Sequence, residues 1–156
     1  MMMVDDVRTV SAGLVVAAAA EEVFAVVADP AKHPLMDGNG NTSQVQGDGG
    51  VIAAAGGSFL MLNSNGKVRE NRVVEFDAGR LVAWMPCPVG GEPFGFLWRW
   101  ECDPLAAGAD GLAQTRVTHT YSWAALTDES LFDEARTIGE ANLMASLQRV
   151  KALVEG

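Results

Sequence analysis

Cysteine and positive charge are both scarce in this chain of 156 residues. The two cysteines, Cys87 and Cys102, form neither a C-x-x-C pair nor a set large enough for a disulfide framework or a zinc cage. We therefore expect two free thiols in a reducing compartment. Eleven Lys and Arg residues stand against 20 Asp and Glu residues, which gives a net charge of −9. Such a charge repels phosphate backbones and argues against nucleic acid as a partner.

Long apolar runs are also missing. The uncharged segment 49–66 contains five Gly residues together with Ser and Asn, so it is too polar to cross a bilayer. The segment Leu14–Ala20 is apolar, but Asp5 and Asp6 precede it where a signal peptide carries positive charge. These features predict a cytoplasmic protein that does not insert into a membrane.

Signature motifs for metal and nucleotide chemistry are absent as well. The two His and two Cys residues are too far apart in sequence to form a ligand pair on one helix turn. Asp37, Asn39, Asn41 and Asp48 match four positions of a calcium-binding loop, but Thr42 stands where that loop requires Gly. No Gly pair opens a phosphate-binding helix, and no G-x-S-x-G elbow is present. We expect neither a metal nor a cofactor.

The patterns that are present describe an α+β domain. Alternating residues predict a strand over Val7–Ala17, and helical spacing predicts a helix over Ala19–Ala28 and a short helical turn over Pro30–Met36. Period-two segments separated by turns predict about six antiparallel strands between Thr42 and Trp123. The segment Asp128–Glu155 predicts one unbroken helix, about 40 Å long.

Three segments carry a resemblance to a known superfamily. The stretch Ser11–Pro34, which reads SAGLVVAAAAEEVFAVVADPAKHP, resembles the opening of START-like (SRPBCC) domains, and Val74–Asp77 followed by Arg80–Trp84 is similar to their middle. That superfamily contains polyketide cyclases/dehydrases and lipid-transport proteins. The resemblance implies a helix-grip fold: a curved antiparallel sheet of about seven strands wrapped around a long C-terminal helix, with two short helices after the first strand. It also implies a single ligand-binding domain over residues 1–156 with a deep apolar cavity.

Side-chain alternation indicates which residues face that cavity. It groups Phe94, Phe96, Trp98, Trp100 and Cys102 on one strand face, and Val117, His119, Tyr121 and Trp123 on another. A regular hairpin around Gly90-Gly91 would put Trp84 opposite Leu97 or Trp98. We expect the ligand to be bound by Trp84, Phe96, Trp98, Trp100, His119, Tyr121, Trp123 and Arg72. The alternative is that these rings simply fill the core.

Two groups could carry chemistry. His119 beside Tyr121 could act as a general acid or base, although a lone buried His is often a hydrogen-bonded structural residue. Alternation also places Glu70 and Arg72 with the apolar Val74, so that an Arg could point into the cavity and pair with an acidic head group. The alternative for this charged cluster is a solvated strand face.

Three functions follow from these features. The preferred one is the binding of a small hydrophobic ligand, such as a lipid, polyketide or isoprenoid, between the sheet and the C-terminal helix. The second is a polyketide cyclase/aromatase or dehydratase that uses His119 and Tyr121. The third is a protein-interaction domain, like the co-chaperones of the superfamily. A homodimer is the default expectation for a small domain.

Overall fold

The computed structural model of the protein describes residues 7–47 and 50–155. Asp5 and Asp6, which weighed against a signal peptide, and Asp48, the last position of the calcium-loop comparison, lie outside these ranges.

Seven antiparallel strands form one sheet. From β2 to β7 each strand pairs with the next along the chain, and β1 pairs with β7, so the order is β1-β7-β6-β5-β4-β3-β2. Short connections favour this meander, because antiparallel neighbours need no crossover helix. The strands are β1 Thr9–Val16, β2 Thr42–Gln46, β3 Ser58–Asn63, β4 Val68–Asp77, β5 Leu81–Cys87, β6 Leu97–Leu105 and β7 Gln114–Ser122.

The register of the central strands follows the alternation of the sequence. Trp84 pairs with Trp98, as the regular hairpin around Gly90-Gly91 predicts. Along β7, Val117, His119 and Tyr121 are buried while the residues between them are more exposed. These pairings align the large rings of three neighbouring strands on the inner face of the sheet.

Within the described residues, four helices complete the α+β fold. Two short helices follow β1, as expected: α1 spans Ala20–Val27 and α2 spans His33–Met36, joined by a 3-10 turn over Pro30–Lys32. The Asp29 side chain accepts a hydrogen bond from the N–H of Ala31 at the start of that turn. After β7 come a 3-10 turn over Glu129–Leu131, then α3 over Phe132–Arg136 and α4 over Glu140–Glu155.

The C-terminal segment differs from the unbroken helix predicted over Asp128–Glu155. The chain leaves helical geometry after α3, and α4 has 16 residues, about 24 Å of helix. The Asn142 side chain accepts the Gly139 N–H, and the Asn142 N–H bonds back to the Gly139 carbonyl, so α4 restarts at this point. The break turns Ile138 toward the inner face of the sheet.

The helix-grip fold predicted from the sequence is confirmed. Helix α4 packs across β1 and β7 and against α1, and Leu143, Leu147 and Val150 are buried on its inner side. These side chains share one buried cluster with Val16 of β1 and Val23 of α1. The same buried cluster continues along the inner face of the sheet through β6, β5 and β4 to Phe59 and Met61 of β3. Helix α1 contacts β6 and β7, and α2 contacts β2 and α4.

Candidate functional site

A cavity of about 170 Å³ lies between the inner face of the sheet, α2, the loop after α2 and the first turns of α4. A dry cavity of about this size can hold a benzene-sized molecule. Most of the exposed area of its walls is apolar, although eleven of the twenty lining residues have polar or charged side chains. It is lined by His33, Met36, Asp37, Asn39, Asn41, Thr42, Phe59, Met61, Asn63, Arg69, Asn71, Trp84, Pro86, Trp98, Trp100, His119, Ile138, Asn142, Leu143 and Ser146.

Stacked aromatic rings form the wall on the sheet side. The imidazole of His119 lies on the indole of Trp100, with ring centres 3.7 Å apart and planes 16° from parallel. The imidazole of His33 stacks on Trp84 at 4.7 Å, and Phe59 meets both rings edge-on. Flat rings packed in this way present broad apolar faces, which suit a planar ligand.

His119 is held neutral and in one tautomer. Its Nδ1 lies 2.9 Å from the carbonyl oxygen of Arg99, and because a carbonyl only accepts, Nδ1 carries the proton. Burial lowers the pKa of His119 to about 4, against smaller raising effects from that hydrogen bond and from the Asp37 carboxylate. Nε2 therefore has an unprotonated lone pair at neutral pH. No described residue donates to it, and it faces the cavity.

His33 has the opposite tautomer. Its Nε2 donates to the carbonyl oxygen of Val27 at 2.9 Å, so Nδ1 is the unprotonated nitrogen. Burial lowers the pKa of His33 to about 4, and the hydrogen bond to Val27 and the charge of Asp29 oppose this only in part. Alternation along strands, which singled out His119, gave no signal for His33, because it lies in a short helix.

The cationic residue at the cavity is Arg69, and the expected Arg72 lies on the other face of β4. Arg72 bonds to the carbonyl of Gly91 at 2.6 Å and pairs with Glu92 at 3.2 Å. Arg69 and Asn71 line the cavity instead. This corrects the prediction for Arg72.

A β-bulge explains the error. The β4–β5 register shifts between Val73 and Glu75, which leaves Val74 as the extra residue and 43% exposed. Alternation read backward from Phe76 through Val74 therefore assigns the wrong face to the first half of β4. Before the bulge it is Arg69, Asn71 and Val73 that point inward.

The rim of the cavity is the loop from Asp37 to Thr42, and the Asp37 carboxylate fixes its conformation by hydrogen bonds. The Asp37 oxygens accept hydrogen bonds from the N–H groups of Asn39, Asn41 and Thr42 and from the Thr42 hydroxyl. The side chains of Asn39 and Asn142 bond to each other and join the loop to α4. The Asp37 carboxylate, the first position of the calcium-loop comparison, thus binds the backbone of its own loop.

Three of the expected ligand-binding residues do not line the cavity: Tyr121 and Trp123 lie in the packed core, and the half-buried Phe96 packs against it. Tyr121 is 1% exposed and donates its hydroxyl to the carbonyl of Ala135, which anchors α3 to the sheet. Phe96 precedes β6 and stacks on Tyr121. Trp123 packs edge-on against Phe132. Trp84, Trp98, Trp100 and His119 do line the cavity, as the alternation of β5–β7 placed them.

The cysteines take no part in the cavity. Both thiols are free and buried, and burial raises the pKa of Cys102 to about 12 and also raises that of Cys87. Neither is a thiolate at neutral pH, so neither is an activated nucleophile. Within residues 7–47 and 50–155, no three His, Cys, Asp or Glu residues are grouped closely enough to hold a metal ion.

Comparison with known proteins identifies relatives for nearly the whole chain. The model of a family described as polyketide cyclase / dehydrase and lipid transport matches residues 7–155. An uncharacterised protein of Mycobacterium tuberculosis is 32% identical over 118 residues, which cover 74% of this chain and 48% of that protein. The chain thus spans about half the length of the curated relatives it matches.

Solved structures share the fold at low sequence identity. XoxI from Bacillus cereus superposes with a TM-score of 0.64 at 12% identity, covering 95% of this chain and 96% of that one. Norcoclaurine synthase from Thalictrum flavum, in complex with dopamine and hydroxybenzaldehyde, gives a TM-score of 0.57 at 20% identity, with coverage of 95% and 86%. Among the described residues, no helix has the length and apolar character needed to span a membrane.

Proposed function

The chain belongs to the polyketide cyclase / dehydrase and lipid transport family, and from this premise we propose that it acts as a single domain that binds one small, flat, largely apolar molecule in the cavity. The observation that carries the proposal is the wall of stacked rings around His119, whose Nε2 faces the cavity without a donor. A mostly apolar pocket with a few fixed polar groups is the usual form of a small-molecule site.

The size of the cavity limits the range of possible ligands. About 170 Å³ suits a molecule with one or two rings better than a long acyl chain. Among the candidate ligands, this favours an aromatic or cyclised polyketide over a lipid. The structure of norcoclaurine synthase with dopamine and hydroxybenzaldehyde is consistent with single-ring ligands in a fold of this type.

Calorimetric titration with 2-naphthol tests the proposal. Ile138 is half-buried at the cavity, so Ile138→Trp fills the space, and we expect it to weaken binding about tenfold or more. Leu153→Trp adds the same side chain at an exposed position of α4 away from the lining residues, and it should bind like the wild type. Equal binding by both variants would place the probe elsewhere and contradict the proposal.

A second candidate function is a cyclase or dehydratase, and the free Nε2 of His119 is the observation in its favour. The pKa of about 4 makes this nitrogen a good hydrogen-bond acceptor but a weak base, because an efficient general base has a pKa near the working pH. Tyr121 cannot assist from its present position, since its hydroxyl is bound to Ala135. The geometry therefore supports binding more strongly than catalysis.

The pH profile of turnover on a poly-β-ketone substrate separates these two functions. Catalysis by His119 predicts a rate that falls in acid with the ionisation of this residue and is lost in His119→Phe. Loss of turnover in that variant, with substrate still bound, would favour the enzyme. Binding without turnover in the wild type would favour the carrier. The third function, a protein-interaction domain, stays a prediction.

A further inference from the structure

Polar groups without partners lie at two separate places in the cavity. The first is Nε2 of His119, an acceptor on a side chain that is 4% exposed. Because its tautomer is fixed by Arg99, this nitrogen can be satisfied only by a donor that comes from outside the protein, such as a hydroxyl group.

The second place is on β4. The side chain of Asn71 is 6% exposed, lines the cavity and makes no hydrogen bond to any residue of the described chain. Arg69, two residues away on the same face, contacts the ring of Phe94 and bonds weakly to the carbonyl of Val68. Within residues 7–47 and 50–155, no carboxylate pairs with Arg69. A guanidinium and an adjacent amide offer several donors to one anionic group.

The charged groups around Arg69 already have other partners. The protein has a net charge of −9, and the other charged residue of the lining, Asp37, already accepts four hydrogen bonds from its own loop. Nearby Arg72 and Glu70 lie on the outer face, where Arg72 pairs with Glu92 and Glu70 accepts the Gly90 N–H. The positive charge of Arg69 is therefore left for a group that enters the cavity.

The two places are at opposite sides of the aromatic wall. Arg69 and Asn71 belong to β4 and His119 to β7, with β5 and β6 between them. Three strand spacings correspond to roughly 14 Å across the sheet, and the register, in which His119 lies level with Val82 and Asn71 with Pro86, adds roughly 13 Å along the strands. The two backbones are therefore roughly 19 Å apart, and side chains that reach inward shorten this separation. Trp84 and Trp98, which pair across the two middle strands, fill the space between. A molecule that reaches both places must be elongated and flat.

We propose that the cavity selects elongated planar molecules with a hydroxyl group at one end, which donates to Nε2 of His119, and a carboxylate at the other, which is bound by Arg69 and Asn71. This proposal rests on the proposed function and specifies its ligand class: a hydroxylated aromatic acid rather than an uncharged lipid.

A matched series of naphthalene probes tests, on the wild-type protein, whether the cavity binds the hydroxyl end and the carboxylate end of the proposed ligand. The series is 6-hydroxy-2-naphthoate, 2-naphthoate, 2-naphthol and 2-methoxynaphthalene. We expect 6-hydroxy-2-naphthoate to bind most tightly, and 2-naphthol to bind several times more tightly than 2-methoxynaphthalene, which has no donor. Loss of the carboxylate should weaken binding about tenfold, since hydrogen bonds to charged groups are the stronger ones. Equal affinities across the series would overturn the proposal.

Two variants test which residue binds each end of the ligand. Arg69→Met should weaken 6-hydroxy-2-naphthoate about tenfold and leave 2-naphthol unchanged, whereas the matched control Arg72→Met, on the outer face, should change neither. His119→Phe should remove the preference for 2-naphthol over 2-methoxynaphthalene. If this variant does not fold, the same preference measured on the wild type still tests whether the cavity binds a hydroxyl donor, and equal binding of the two probes would overturn that part of the proposal.

The outcomes separate this proposal from the one on which it rests. If all four probes bind, compete with one another and are blocked by Ile138→Trp, but Arg69→Met has no effect on the acids, then the cavity is a binding site and the selectivity proposed here is wrong. If Ile138→Trp weakens the binding of none of the probes, the proposed function itself is wrong.

Discussion

Two imidazoles, His33 and His119, are the only His residues of the chain, and both are buried against indole rings at the cavity. Each donates one N–H to a backbone carbonyl, so each keeps a fixed tautomer without a charge. Burial holds the pKa of both at about 4. At the residue scale, then, the site consists of neutral acceptors inside an apolar wall.

Stability should depend on pH through these two residues. The folded pKa of about 4 lies below the unfolded value of about 6.5, so the unfolded chain binds more protons between these values. The free energy of unfolding therefore falls as the pH falls, by about 2 kcal/mol per His between pH 7 and pH 5. Urea denaturation at pH 7 and pH 5 measures the change. The variant His33→Phe should show about half of this pH-dependent change in the free energy of unfolding. A variant with the same change as the wild type would contradict the burial argument.

The orientation of side chains could be predicted from the sequence where alternation was uninterrupted, whereas their role in ligand binding stays a prediction. Along β6 and β7 the period of two correctly oriented Trp98, Trp100 and His119 toward the cavity. Along β4 it failed because a bulge adds one residue, and no feature of the sequence marks Val74 as that residue. The sequence also could not predict that Tyr121 lies deep in the core, because its hydrogen-bond partner, the carbonyl of Ala135, belongs to a different element.

The element that closes the cavity is the loop from Asp37 to Thr42, which docks against α4. Gly38 donates its N–H to the Ser146 hydroxyl, and a Cβ at Gly38 would lie 2.6 Å from the backbone of Ala145. This contact between loop and helix backbone allows no side chain larger than hydrogen. The position of the rim thus depends on a single Gly.

Gly38→Ala should therefore loosen the rim. The added methyl forces the loop away from Ala145, and we expect a loss of about 1–3 kcal/mol in the free energy of unfolding together with weaker binding of 2-naphthol. Urea denaturation and calorimetry measure the two effects. Gly50→Ala is the matched control, because nothing lies within 4 Å of its Cβ position. A Gly38→Ala protein as stable as this control would show that the loop does not pack as described.

The elements themselves were largely predictable, apart from the C-terminal helix. The strand count and the short helices followed from periodicity, and Trp84 pairs with Trp98 as a regular hairpin requires. The break before α4 was missed because a single Gly139 within apolar spacing is tolerated in many helices. What decides the break is the hydrogen bond from Gly139 to Asn142, which links the restart of α4 to the loop that carries Asn39.

At the scale of the whole molecule, one continuous core both packs the helices and lines the cavity. Leu143 of α4 and Phe59, Trp84 and Trp100 of the sheet belong to the buried cluster and also line the cavity, whereas Leu147 and Val150 only pack. Sequence periodicity predicts these layers, but it cannot distinguish a filled core from a cavity, because the same apolar rings line both.

Occupancy of the cavity should stabilise the entire fold. A ligand that binds only the folded state at a hundred times its Kd raises the free energy of unfolding by about 2.7 kcal/mol. We expect 2-naphthol to do so in the wild type and in Leu153→Trp, whereas the same concentration should stabilise Ile138→Trp by about 1.4 kcal/mol or less, because its binding is about tenfold or more weaker. Thermal unfolding followed by circular dichroism measures the shift. Stabilisation of Ile138→Trp to the same extent would show that the probe acts outside the cavity.

The most direct test of the account is a nitrogen-15 NMR spectrum of the two His side chains at pH 7, recorded before and after addition of 2-naphthol. The account predicts two neutral rings with opposite tautomers, His119 protonated on Nδ1 and His33 on Nε2, and a shift of the His119 Nε2 signal when the naphthol hydroxyl bonds to it. An imidazolium signal from His119, or an Nε2 signal that does not move when the probe is bound, would contradict it.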